Sequence, residues 1–252
     1  MILLIAGFAG ILSFLLVDLS ELLAIMPVTQ DARMPFSPLI LKLLGLIQPT
    51  ILLAVAVFVG IALAPKVGLF APAFEAWARR DSFVTALKPQ IIPGLIGGAV
   101  GGAAIILSWV LAKPILPPEF VVKAVQMNRV LPVPTRLLYG GITEELLLRW
   151  GVMTFLVWAA WRLFQKRQGQ TRGVYFFSAI VISSVIFGIG HLPLVIALGS
   201  NLTGAIVLYV VTANSVFGLI SGYLYWRKGL EAAIVAHMLT HVVLVSAIVF
   251  ES

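Results

Sequence analysis

The chain has 252 residues, 61% of them apolar and only 11% charged, with a net charge of +7 and no cysteine. A soluble domain carries about 25% charged residues, so this composition, with a mean hydropathy of +1.08, excludes a core folded against water and makes lipid the solvent. The absence of cysteine excludes disulfides, thiolate metal sites and a cysteine nucleophile. No basic stretch forms a domain, which argues against a nucleic-acid partner.

In chain order the pattern predicts an all-α, polytopic transmembrane bundle of about seven spans, at about 2–25, 44–64, 91–112, 136–162, 174–192, 203–226 and 230–250. Helices are required because lipid offers backbone groups no partner outside the segment. The first apolar window, Ile2 to Val17, lacks a basic leader and a cleavage site and reads as a retained helix. Between spans two and three, residues 66–90 carry Phe70, Phe74 and Trp77 beside Arg79, Arg80 and Lys88, the composition of a helix lying in the interface. Span three holds Gly94, Gly97, Gly98, Gly101 and Gly102, a stripe that predicts close helix packing. The proline-rich stretch 113–135 reads as a surface connection, and Pro193, Gly199 and Asn201 as a turn between spans five and six. Two regions follow: transmembrane helices with an interfacial segment over 1–135, and a helical core over 136–252.

Orientation follows from the loops. Lys66, Arg79, Arg80, Lys88, Arg162, Lys166, Arg167, Arg172, Arg227 and Lys228 gather on one face, against Arg33, Lys42, Lys113, Lys123, Arg129 and Arg136 on the other. The excess assigns the first face to the cytoplasm.

Charges at helix centres cost at least about 2.5 kcal/mol each on insertion scales and default to functional hypotheses. Span four contains Thr143-Glu144-Glu145-Leu146-Leu147-Leu148-Arg149. Glu145 and Arg149 are four apart and pair on one face. Glu144 points about 100° away at α-helical spacing and needs a partner from another helix. All three histidines lie in or at the end of apolar spans: His191 after Phe187, and His237 and His241 four apart on span seven. Counted from the 113–135 side at 1.5 Å per residue, Glu144 and His241 lie about 13–14 Å deep, His191 about 5 Å and His237 about 20 Å.

Two chemistries suit this set. Glu144, assisted by His191, can act as general base on water while His237 and His241 donate to an oxyanion. Alternatively, Glu144, His191, His237 and His241 are candidate ligands for a divalent metal such as zinc. A charge network that merely locks the bundle, or a metal-transport site, are the competing readings.

Glu144-Glu145-x-x-x-Arg149, then Phe187-x-x-x-His191, then His237-x-x-x-His241, on three separate helices, resembles the CPBP (CAAX-protease and bacteriocin-processing, or Abi) family of intramembrane proteases, related to the type II CAAX prenyl endopeptidases. The resemblance covers about 136–250. It implies that Glu144 is the catalytic glutamate, that His191 helps it activate water, and that His237 and His241 complete the site, with Glu145, Arg149 and Phe187 in support. The family usually has Asn or Asp where this chain has His241. The resemblance implies a peptide or membrane-protein substrate, of CAAX type or related to leader and bacteriocin processing, and a multi-pass protein of a prokaryotic cell membrane. A non-catalytic immunity or scaffold protein of the same fold is the alternative. Family members that cut prenylated CAAX proteins work from the cytoplasmic face, opposite to the assignment from loop charges.

Overall fold

The computed structural model describes residues 1–27 and 36–250, the side chains of 248–250 excepted. Arg33, counted in the charge balance, lies outside the described residues. Among those described, every regular element is helical. They are α1 (Ile2–Leu12), α2 (Leu19–Ile25), α3 (Pro38–Gly45), α4 (Ile47–Val67), α5 (Pro72–Ala78), α6 (Phe83–Ala112), α7 (Pro118–Val130), α8 (Val133–Phe164), α9 (Gly173–Ile189), α10 (Leu192–Ala197), α11 (Gly204–Lys228) and α12 (Leu230–Phe250). Six helical stretches are long and apolar enough to cross a membrane, and a bent pair makes up to seven.

The bent pair corrects the expectation of one continuous first span. The chain turns by 74° between Ile2–Leu16 and Leu19–Ile25. Val17 is extended, and the Asp18 carboxylate accepts from the backbone N–H of Ser20 at 2.8 Å. A carboxylate that satisfies the free N–H groups of a new helix starts that helix where it stands, so Asp18 breaks the span instead of being carried through it.

Two connections also differ from their sequence reading. Residues 66–90 are not one interfacial segment: Gly68, in the left-handed region at φ 78°, closes α4, α5 covers only Pro72–Ala78, and the Ser82 hydroxyl caps α6. Lys88 therefore belongs to α6, a helix of 30 residues. The stretch 113–135 is not a plain surface connection either, since it contains the 13-residue α7. Its prolines sit at helix starts, where a missing N–H leaves nothing unpaired. Residues 192–197 likewise form a short helix after His191, and Thr203 caps α11.

The glycine stripe of α6 does what its spacing predicts. A Cβ on Gly98 would stand 2.6 Å from the carbonyl oxygen of Ala236, and one on Gly94 2.6 Å from Val235, so α6 and α12 approach backbone to backbone. Thr240 donates to the Gly98 carbonyl at 3.1 Å across that seam, the kind of interhelical bond that holds spans together in lipid. The core continues through Leu53, Val57, Leu146, Trp150, Met153 and Tyr225, where α4, α8 and α11 meet. Gly60 makes room for the Trp150 indole.

The helix bearing the two glutamates is itself unusual. Arg136–Glu144 and Leu146–Met153 wind as π-helix, a rare form frequent at functional sites. Hydrogen bonds to the fifth residue widen each turn, so successive side chains diverge by less than the 100° of an α-helix. Thr143 donates to the Gly7 carbonyl of α1 at 2.8 Å, fixing this helix against the first.

Candidate active site

Glu145 is fully buried and held on three sides. The Ser221 hydroxyl of α11 donates to its Oε2 at 2.5 Å, Arg149 Nε stands 3.3 Å from the same oxygen, and His237 Nδ1 donates to Oε1 at 2.8 Å. Arg149, also fully buried, donates from Nε to Ser221 at 3.1 Å and from Nη2 to the Gly218 carbonyl at 3.3 Å. The pairing of Glu145 with Arg149 inferred from their spacing is present. What spacing alone could not give is that Glu145 also grips the histidine of another helix.

That grip fixes His237. With Nδ1 donating to Glu145, its other nitrogen is turned to Glu144, whose Oε2 lies 3.8 Å from Nε2. This exceeds a direct hydrogen bond. Among the described residues the Glu144 carboxylate accepts no hydrogen bond, and its side chain is 20% exposed against 1% for Glu145. Neighbouring glutamates thus have unlike surroundings: one clamped, one open. The wide winding of α8 lets both face a single imidazole.

His241 lies one turn on, its ring parallel to that of His237 at 4.9 Å and 12°. Both of its ring nitrogens are buried without a partner among the described residues. Gly140 packs directly on its Nε2, closer than any side chain there would allow. His191, in the turn after α9, donates from Nδ1 to the Phe187 carbonyl at 2.8 Å, which leaves Nε2 as the lone pair. Phe187 joins the parts. Its ring meets His191 at 4.7 Å and His237 at 5.9 Å, both edge-on, and the Arg149 guanidinium lies over it at 5.3 Å.

The structure therefore brings Glu144, His237 and His241 into one cluster and ties His191 to it through Phe187. Among the described residues His191 makes no polar contact with the other three. Ser221 and Phe217 were not singled out by sequence, although Phe217 covers His237 at a ring distance of 4.4 Å. The signal for Ser221 was the small-residue spacing Gly218, Ser221, Gly222, which marks a close helix contact without saying what it touches.

Among the described residues no three His, Asp or Glu groups converge as a metal seat. His237 and His191 each commit Nδ1, to Glu145 and to the Phe187 carbonyl, which leaves both Nε2 atoms free among the described residues, the outer bonding that orients a metal-ligating histidine. By donor chemistry Glu144, His191, His237 and His241 remain the residues that would hold a divalent metal.

A polytopic helical bundle enclosing carboxylates and imidazoles at the meeting of α8, α9, α11 and α12 has the makings of an intramembrane hydrolase. Residues 126–243 match the family model described as Type II CAAX prenyl endopeptidase Rce1-like. The match is consistent with the CPBP proteases that the three motifs resemble. The match supports intramembrane endopeptidase activity in general, and with it a peptide or protein substrate in a membrane. No curated protein and no solved structure matches the chain.

Proposed function

We propose that the protein is an intramembrane endopeptidase in which Glu144 activates the attacking water. The observation that carries this reading is the contrast on α8: Glu145 is closed by three partners, while Glu144 beside it accepts no hydrogen bond among the described residues, is partly open and faces His237. A general base must reach a water, and an open carboxylate at hydrogen-bonding reach of the site can do so.

The rest of the chain's own groups divide the work. Glu144 takes a proton from water as its oxygen attacks the scissile carbonyl. His191, with its lone pair on Nε2, assists in orienting that water. His241 carries one N–H in either neutral tautomer and has no partner for it among the described residues, so it can donate to the oxyanion. His237 donates from Nε2 only when doubly protonated, because Nδ1–H is committed to Glu145. The proton held by Glu144 then passes to the leaving amine, which completes hydrolysis. Glu145, Arg149 and Ser221 hold the His237 ring in register, and Phe187 spaces it from His191. Residues 136–252 supply these groups, and 1–135 the helices that pack around them.

A CAAX-type C-terminal peptide is the substrate class that the match over 126–243 favours. The test is cleavage of a farnesylated CAAX peptide by the full chain in nanodiscs in water enriched in oxygen-18. One labelled oxygen should enter the new C-terminal carboxylate. An intact peptide with an active control protease present in the same nanodiscs would overturn the assignment.

A further inference from the structure

At one end of the bundle two basic connections distant in sequence meet through Trp226. The first runs from the end of α8 to the start of α9 and carries Arg162, Lys166, Arg167 and Arg172; the second, at the end of α11, carries Arg227 and Lys228. All six are exposed, and neither 162–173 nor 223–229 contains an acidic residue. Among the described residues none of the six forms an ion pair. Trp226 joins the two. Its ring stacks on Phe176 at 5.0 Å and 8°, Gly173 lies against it, and Arg227 sits over it at 5.4 Å.

The first connection is built rather than loose. The Gln165 amide donates to the carbonyls of Gln168 at 2.5 Å and Gln170 at 2.7 Å, and its oxygen accepts from the N–H of Arg172 at 3.3 Å. Lys166 and Arg167 occupy the left-handed region at φ 52° and 63°, a conformation that ordinary side chains adopt at a cost. The loop thus accepts backbone strain at two cationic residues in a row. Just along the bundle from these cations, Leu163, Phe164, Val174, Phe177 and Tyr223 are exposed apolar groups. Cations at the level of the headgroups and apolar side chains at the level of the chains describe one kind of ligand.

We propose that the Gln165-stapled loop and the Arg227–Lys228 helix end together bind the headgroup of an anionic phospholipid, its acyl chains lying along Phe164, Val174 and Phe177. This goes beyond the setting of topology by loop charge, since it needs the two segments side by side, and it stands independently of the peptidase reading. A basic residue near an anionic lipid surface strengthens association by roughly fivefold.

The test is native mass spectrometry of the full chain in detergent with equal amounts of phosphatidylglycerol and phosphatidylcholine of identical chains. Phosphatidylglycerol should be retained in excess by about tenfold or more. The triple change Arg172→Gln, Arg227→Gln, Lys228→Gln should bring the ratio near one, and Arg172→Gln alone should lower it by roughly fivefold, which keeps the test alive if the triple variant fails to fold. Lys113→Gln with Arg129→Gln, exposed cations that the loop pattern assigns to the opposite face, should leave the ratio unchanged. An unchanged ratio in the Arg172 variants, an equal fall in the Lys113/Arg129 control, or displacement of the lipid by inorganic phosphate each overturns the proposal.

Discussion

Replacing Arg149 by methionine isolates the part of the site that is structural. The substitution keeps a long apolar stem but removes the charge that faces Glu145 Oε2 at 3.3 Å, the bond to Ser221 at 3.1 Å and that to the Gly218 carbonyl at 3.3 Å. Glu145 has no exposure through which water could replace the guanidinium. Breaking a buried pair by removing one member costs about 3–5 kcal/mol. Glu145 keeps Ser221 and His237, so the loss should fall at the lower end, about 3 kcal/mol. The double variant Arg149→Met, Glu145→Gln removes both charges and should recover part of that loss, because no buried charge is then stranded. Equilibrium unfolding in mixed micelles, followed by tryptophan fluorescence, measures both. A cost for Arg149→Met below about 1 kcal/mol, or a double variant worse than the single by the full cost of a second mutation, would refute the view that the ion pair fixes this helix contact.

Three further outcomes follow from the same contacts. Gly140→Ala pushes a methyl group onto His241 Nε2 and should lower peptide cleavage by about tenfold or more, the order expected when one oxyanion donor is displaced, at an overpacking cost of about 1–3 kcal/mol. Gly98→Val places its Cβ 2.6 Å from the Ala236 carbonyl and should destabilise the α6–α12 seam by about 1–3 kcal/mol, the range of overpacked cores, as read by loss of monodisperse protein on heating in detergent. Treatment with a strong zinc chelator should leave cleavage within about twofold, since a site whose charge stabilisation comes from preorganised donors loses nothing to chelation. Activity lost to the chelator and restored by zinc would contradict a water activated by Glu144 without a metal.

The membrane-spanning helices were legible because lipid demands about 20 apolar residues per helix, and that requirement is written in composition. The Glu145–Arg149 pair and the shared face of His237 and His241 were legible for a related reason: both are four-residue relationships within one helix. Asp18 shows the limit. It falls within the span expected at 2–25, yet its carboxylate caps a new helix where the chain bends by 74°. The π winding of α8 was hidden too, because no residue type encodes it, and with it the chance to see that both glutamates meet one imidazole. Contacts such as Ser221 to Glu145 join helices more than 70 residues apart and depend on packing that periodicity does not carry. His241 was visible as a departure from the resembling family, but its unpartnered nitrogens and its seat on Gly140 became apparent only in three dimensions.

The central claim rests on one carboxylate, and Glu144→Gln tests it with the smallest change of shape. The glutamine keeps the volume of a side chain that accepts no hydrogen bond among the described residues, so folding and membrane insertion should be unchanged. Cleavage of a farnesylated CAAX peptide by the reconstituted variant should fall by at least about 100-fold, the lower range for loss of a general base. A variant that folds as the parent does and cleaves at the parent's rate would contradict the account and leave the buried charges with a packing role alone.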